Sequence, residues 1–306
     1  PAEVLSTVMR VHQRYIPLYL NNASIDPLLL YARKTLLPRF LTISNGLFDA
    51  RESIRLGNQR VLRARLADAE FFVKADLSTT SLDRVKQLSR VTFSEGLGTL
   101  FDRVKRIEWI TLTLIDQLDI LELDSQDVLR AAHLCKHDLV SQIVGEFPEL
   151  QGIMGGKYLL AEGEKREVAL AVLEHYLPKG AGDILPDSDA GAILAIAERI
   201  ELLLSIFAKG ERPSGSSDPY ALRRAGNGIL QILWHKGWKL DLSILLSYSL
   251  DHWLNILPDL NISKEILTRD LSEFFRQRII SLLEESGIDF DLVNAVAGQT
   301  VDIDRL

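Results

Sequence analysis

Apolar side chains return at three- and four-residue steps along most of this chain, the spacing that gathers them on one face of an α-helix. Val61, Leu62, Leu66, Ala69 and Phe72 mark the first such stripe and predict a helix over 59–75. The same reading predicts helices over 97–120, 126–146, 165–177, 189–208, 219–236, 241–255 and 264–286. Ser125 and Ser263 stand at N-cap positions, and Asp218 followed by Pro219 pairs a capping carboxylate with proline at a first helical position, where its missing N–H costs nothing. Gly287 after Glu284-Glu285-Ser286 is a C-terminal stop. Earlier, residues 14–20 and 40–44 are rich in aromatic and β-branched types and border turn signals at Asn21-Asn22 and Asn45-Gly46, so they read as strands. The expected fold is mainly α, with a partial α/β segment at the N-terminus. No repeat of roughly 20–50 residues is visible, which argues against an α-solenoid.

Two stretches break the period. Residues 144–156 carry Pro148, which ends a helix, and Gly152, Gly155 and Gly156, which supply backbone freedom, while Phe147 and Leu150 anchor the turn in a core. That reading outweighs acid–base chemistry by Glu146 and Glu149. Residues 209–217 form the clearest loop, between two apolar helices. It lacks the Gly-x-x-x-x-Gly-Lys-Ser/Thr pattern and follows a helix rather than a strand, against a nucleotide phosphate loop.

Composition narrows the class. A length of 306 residues suggests about two domains, and 47% hydrophobic with 25% charged residues is ordinary for a globular core. No apolar run approaches the ~20 residues of a membrane span, and no signal peptide opens the chain. The initial Pro1 and the uncapped end at Leu306 suggest a piece of a longer polypeptide. One cysteine, Cys135, excludes an internal disulfide and suits the cytoplasm; on a buried helical stripe it should be inert. The four tryptophans sit among aliphatic residues and read as core.

A net charge of −7 argues against a surface generally coated with nucleic acid, and neither DNA nor membrane is an expected partner. Two basic clusters interrupt the acidic background. One holds Arg51, Arg55, Arg60, Arg63 and Arg65; the other holds Lys209, Arg212, Arg223, Arg224, Lys236 and Lys239. Gathered cations neutralise phosphates and release counterions, the sequence-independent part of RNA binding. Surface ion pairing is the plainer role of any single arginine.

His133, His137 and Asp138 fall on one predicted helix. Histidines four residues apart can chelate a metal, yet the buried stripe Val128, Ala132, Cys135, Leu139 and Ile143 puts both histidines roughly 120–160° from its centre, where solvated polar residues are the simpler reading. No Ser/His/Asp or Cys/His catalytic arrangement stands out.

The irregular run 144–156 (Val-Gly-Glu-Phe-Pro-Glu-Leu-Gln-Gly-Ile-Met-Gly-Gly) and the block Pro213-Ser-Gly-Ser-Ser-Asp-Pro-Tyr-Ala-Leu-Arg-Arg224 resemble the β subunit of bacterial glycyl-tRNA synthetase, in register and at the expected separation. The resemblance extends through 57–72, 91–100 and 275–296, nearly the whole chain. It implies three parts: 1–58, the end of a mixed α/β domain; 59–258, a helical domain similar to HD hydrolases; and 259–306, the truncated beginning of an α-helical anticodon-binding domain. In such a domain Asp138 matches the family's Lys-x-Asp-Leu at Lys136-His-Asp-Leu139, while Glu198 stands where an Asp ligand is expected. His133, His137, Asp138 and Glu198 would then be a degenerate metal site, at most vestigial.

The resemblance further implies an α2β2 enzyme whose α subunit joins glycine to tRNA with ATP and magnesium, while β supplies tRNA contacts. This chain then performs no catalysis and binds no cofactor of its own. Its tRNA-binding candidates are Arg223, Arg224, Arg212, Lys209, Arg60 and Arg63, with Arg223 and Arg224 foremost because they lie in the family signature; their other role would be to tie the loop to a carboxylate such as Asp218. The competing readings are a metal-dependent HD phosphohydrolase and a scaffold that docks the α subunit without touching RNA.

Overall fold

The computed structural model describes residues 1–20, 26–30, 36–118, 120, 123–257, 263–289 and 291–293. The chain opens with helix α1 (Ala2–Thr7), which continues as a π-turn over Val8–His12, followed by strands β1 (Ile16–Tyr19) and β2 (Leu36–Leu41). The strands pair antiparallel, Ile16 with Leu41 and Pro17 with Phe40, with an irregularity before Tyr19 meets Leu36. A two-stranded ribbon is not stable alone. This one leans on the protein through Tyr15, whose ring stacks on Phe40 at 4.8 Å. The expected turn at Asn21-Asn22 lies outside the described residues.

Helices α2 (Arg51–Asp76), α3 (Ser81–Gln87), α4 (Leu100–Leu118), α5 (Ser125–Leu134), α6 (Gln142–Glu146), α7 (Ile153–Ala161), α8 (Arg166–Glu174), α9 (Asp189–Ala208), α10 (Leu222–Lys236), α11 (Leu242–Ile256) and α12 (Lys264–Glu285) complete the description. Apolar residues line α9 on every side, so it takes the centre: Ala192–Ala197, Ile200, Leu203, Leu204, Ile206 and Phe207 are all buried. Around it pack α4, α5, α8, α10, α11 and α12. A second cluster joins the N-terminal segment to α2, α6 and the 147–158 region through Val8, Met9, Val73, Phe147 and Leu150. Lys157 ties that segment down further, its ammonium donating to the carbonyls of Pro27 (2.6 Å) and Leu29 (2.8 Å).

Several sequence expectations change here. Helix α2 begins at Arg51, so the expected boundary at 58 falls inside a continuous helix. The expected helix 126–146 is two helices joined by a 3-10 turn, His137–Val140. Lys136, His137 and Asp138 are all fully buried, and each has its own partners; an unbroken helix would fan the three at 100° steps and leave one of them in solvent. Asp124 rather than Ser125 caps α5, accepting from Gln126 and Asp127. Asp218 does cap α10, but three residues early: Ala221 adopts a left-handed conformation and Leu222 begins the helix, so Pro219 is outside it. Ser263 and Gly287 act as expected. Helix α7 was not expected, because its two glycines mask a helical period. They allow close packing: a Cβ on Gly156 would stand 2.5 Å from the Ala169 carbonyl of α8.

Gly156→Ala should therefore lower unfolding free energy by about 1–3 kcal/mol, whereas Gly145→Ala, which would meet nothing within 4 Å, should be neutral or slightly stabilising. Urea denaturation of both variants tests the contrast.

Candidate functional site

Two sets of polar residues stand out, one inside the molecule and one on its surface. The inner set centres on α9. Glu201, fully buried, receives Arg103 Nε at 2.6 Å, Arg106 Nε at 2.9 Å and the Ser205 hydroxyl at 2.8 Å. One turn earlier Glu198 receives Arg103 Nη2 at 2.8 Å and the Lys136 ammonium at 3.0 Å. Burial opposes ionisation of Glu198, but Lys136 and Arg103 outweigh it and hold its carboxyl below the usual range. The Lys136 ammonium also lies 3.1 Å from His175 Nε2 and 4.0 Å from the Tyr176 ring centre. His175 donates from Nδ1 to the Val172 carbonyl at 2.6 Å, so its Nε2 is the acceptor. Burial and the Lys136 charge keep that imidazole neutral.

The expected metal ligands do not form one donor set. His133 is a half-buried residue on α5 whose Nδ1 meets Glu108 at 2.6 Å. His137 is not the solvated residue its helical position suggested: it is buried, takes Arg84 Nε on Nδ1 at 3.2 Å and donates from Nε2 to the Gly155 carbonyl at 3.2 Å. Burial, then the Arg84 charge, pushes it down to about 3. Asp138 spends one oxygen on the N–H groups of Gly152 (2.7 Å) and Gly155 (2.9 Å), which shapes the glycine turn. Its other oxygen is buried without a partner. Burial pushes the Asp138 carboxyl up to about 6 against those two N–H donors. Among the described residues no group of three or more His, Cys, Asp or Glu side chains is arranged to hold a metal. Apart from that Asp138 oxygen, the donors bond within the fold, and the cation beside Glu198 and His175 is the Lys136 ammonium. The HD hydrolase reading gains nothing from this geometry. Cys135 is buried, its thiol pushed up to about 12 by desolvation, as an inert core residue should be.

The surface set is basic. Arg60 and Arg63 lie on the exposed face of α2 with no carboxylate partner among the described residues, whereas Arg55 pairs with Glu52 at 3.0 Å and Arg65 with Glu146 at 3.6 Å. Arg223 and Arg224 begin α10, half-buried and exposed, without side-chain partners among the described residues. Asp218 does not hold them: its two carboxylate oxygens accept the backbone N–H groups of Leu222 (2.8 Å) and Arg223 (3.0 Å). The carboxylate fixes the helix start and leaves both guanidinium groups unanswered. Arg212 differs, with Nε and Nη2 on Asp270 at 3.1 and 3.0 Å and its plane over Phe207. Lys209 reaches the Ser94 hydroxyl at 3.0 Å. Arg212 and Lys209 thus fasten the 209–217 loop. The buried roles of Arg103, Arg106 and Glu201 were missed; the available signal was charge on the apolar side of two helical stripes.

Relatives are plentiful and agree. By class they are subunits of an aminoacyl-tRNA synthetase. A family model described as glycyl-tRNA synthetase beta subunit matches residues 1–298. The glycine–tRNA ligase beta subunit of Gloeothece citriformis is 46% identical over 300 residues, 98% of this chain and 40% of that protein. Its counterpart in Listeria welshimeri is 41% identical over 302 residues, 97% of this chain and 42% of that protein. The chain belongs to the glycyl-tRNA synthetase β-subunit family and spans about 40% of the length of these relatives. No described helix is long and apolar enough to cross a membrane.

Two measurements check the inner set. Glu201→Ala leaves the buried Arg106 without a carboxylate and takes one of the two that Arg103 holds, and should cost about 3–5 kcal/mol in a denaturation experiment. Because the folded Asp138 carboxyl titrates near 6, above its usual 3.8, the folded state binds the extra proton, and stability from this group is lost as pH rises from about 4 to about 6. The stability of the parent protein relative to Asp138→Asn should fall across that window and be flat above it; a flat difference throughout contradicts the assignment.

Proposed function

We propose that this chain is the tRNA-binding and positioning part of a glycyl-tRNA synthetase, working in the cytoplasm as the β partner of an α subunit in an α2β2 assembly. The α subunit carries the chemistry, joining glycine to tRNA with ATP and magnesium. The observation that carries the reading is a set of arginines without partners among the described residues, Arg223 and Arg224 on α10 with Arg60 and Arg63 on α2, in a chain of net charge −7 in which Arg65, Arg84, Arg103, Arg106, Arg199 and Arg212 are committed to carboxylates or carbonyls. Side chains kept free of internal acceptors against an acidic background suit an external polyanion. Arginine meets phosphate oxygens through two parallel N–H groups and can stack on unpaired bases. Family membership makes tRNA the expected polyanion. Binding of this kind contributes to aminoacylation by orientation: tRNA held against a rigid helical body presents its acceptor end at a fixed place, which lowers the entropic part of the transfer barrier.

Arg223→Ala with Arg224→Ala, in the full-length β chain assembled with α, should weaken glycine tRNA binding about tenfold or more, ~1.4 kcal/mol, and flatten its salt dependence. Glycine activation without tRNA should be unchanged. Equal tRNA affinity in a stably folded double variant would remove these residues from the reading, and equal affinity in an Arg60→Ala, Arg63→Ala variant as well would favour a scaffold that docks α without RNA.

A further inference from the structure

The arginines that point into the helical body bond to carboxylates or carbonyls, although one nitrogen of Arg106, Nη2, is buried without a partner. Arg84 donates to the carbonyls of Asp76 and Thr79 and to Glu162, and Arg103 and Arg106 share Glu201. Arg199 reaches the carbonyls of His175, Ala195, Tyr176 and Pro178. Arg278 on α12 is different. Its Nε is withdrawn from solvent with no hydrogen-bond partner, and among the described residues no carboxylate bonds its guanidinium.

Helix packing forces the group into this position. Gly226 of α10 faces α12, where a Cβ would stand 2.7 Å from the Phe274 ring and 3.2 Å from Arg278 Cγ. The missing side chain lets α12 settle on α10 and lays the Arg278 stem across it. There Arg278 meets like charge. Desolvation, and next the charge of Arg223 one turn before Gly226, lower its proton affinity, while Glu285 and Asp218 act in the opposite sense. Asp218 is turned to the start of α10, each of its oxygens accepting a backbone N–H there, and it makes no bond to Arg278. A buried donor left unmade costs about 1–3 kcal/mol, and the like charge of Arg223 acts in the same direction. An anion at the solvent-facing part of the side chain answers the like charge, and phosphate is the geometric match to paired guanidinium groups.

We propose that Arg278 and Arg223 form a two-arginine clamp, built across α12 and α10, that grips a single backbone phosphate of the bound RNA. This rests on the tRNA-binding reading above and adds to it a residue from outside the signature block, and a stoichiometry: two side chains, one phosphate.

The test uses the full-length β chain assembled with α, a glycine tRNA transcript, and dissociation constants measured across a potassium chloride series. Arg278→Gln and Arg223→Gln should each weaken binding about tenfold, and each should lower the slope of log affinity against log salt by roughly 0.7–0.9, the value of one phosphate. The double variant should lose no more slope than either single one, because both side chains serve the same phosphate. Slope losses that add to two phosphates overturn the clamp. So does an unchanged Arg278→Gln beside a weakened Arg223→Ala, Arg224→Ala variant, and in that case the tRNA-binding reading stands. No effect from any of these variants overturns both. The melting temperature of Arg278→Gln should hold or rise, since an unpaired charge is removed; a lower melting temperature with unchanged tRNA affinity marks the arginine as structural and also overturns the clamp.

Discussion

The buried carboxylate of Glu201 is the constraint on which the helical body depends. Ionising it in the interior carries a desolvation penalty of several kcal/mol, repaid only when geometry is good and every lone pair is used. The surroundings meet that condition: Arg103 and Arg106 approach from α4, and Ser205 bonds the same carboxylate while accepting Trp253 Nε1 from α11 at 3.2 Å. Helices α4, α9 and α11 are therefore held in one register by charge-assisted bonds as well as by apolar packing. Glu198 extends the network to Lys136 and so fixes the turn after α5. Apolar contacts alone would let α9 slide or rotate at little cost. Buried ions do not allow it.

From that centre the consequences run outward. The turn fixed by Lys136 also carries Asp138, whose carboxylate orders the Gly152–Gly155 bend and the start of α7, and α7 packs on α8 through glycine. On the other flank α10 and α12 pack on α9 and on each other. Their mutual approach, permitted by Gly226, sets where Arg223, Arg224 and Arg278 stand. Surface cations that touch no internal carboxylate are thus placed by an interior whose buried carboxylates Glu198 and Glu201 are paired. The proposed positioning of RNA would require that division, because a side chain already committed to an internal acceptor has little to give an external phosphate.

Much of the fold was legible. Helix α9 matches its expectation residue for residue, and α4, α8, α11 and α12 differ from theirs only near the ends, because long apolar stripes report burial directly. The stretches that misled have specific causes. Gly155 and Gly156 looked like loop residues because a helix glycine is recognised only by the neighbour it admits. The run 126–146 looked continuous because periodicity is blind to three consecutive polar residues needing three different partners. Of the surface candidates, the family signature put Arg223 and Arg224 first, but nothing in the sequence showed that Arg212 is bound to Asp270 while those two have no such partner among the described residues.

The sequence by itself determined the mainly helical class, the identity of the central helix, the inert cysteine and, through its two irregular motifs, the family. These depend on local periodicity and on residue types in order, and both are written along the chain. Tertiary structure alone decided that Lys136, His137, Asp138, Glu198 and Glu201 bond to partners within the fold, and that Arg278 of α12 lies against Gly226 of α10. Those outcomes depend on which side chains meet across helices 60 to 100 residues apart or on the depth at which a guanidinium is buried, and no spacing within a single helix encodes either.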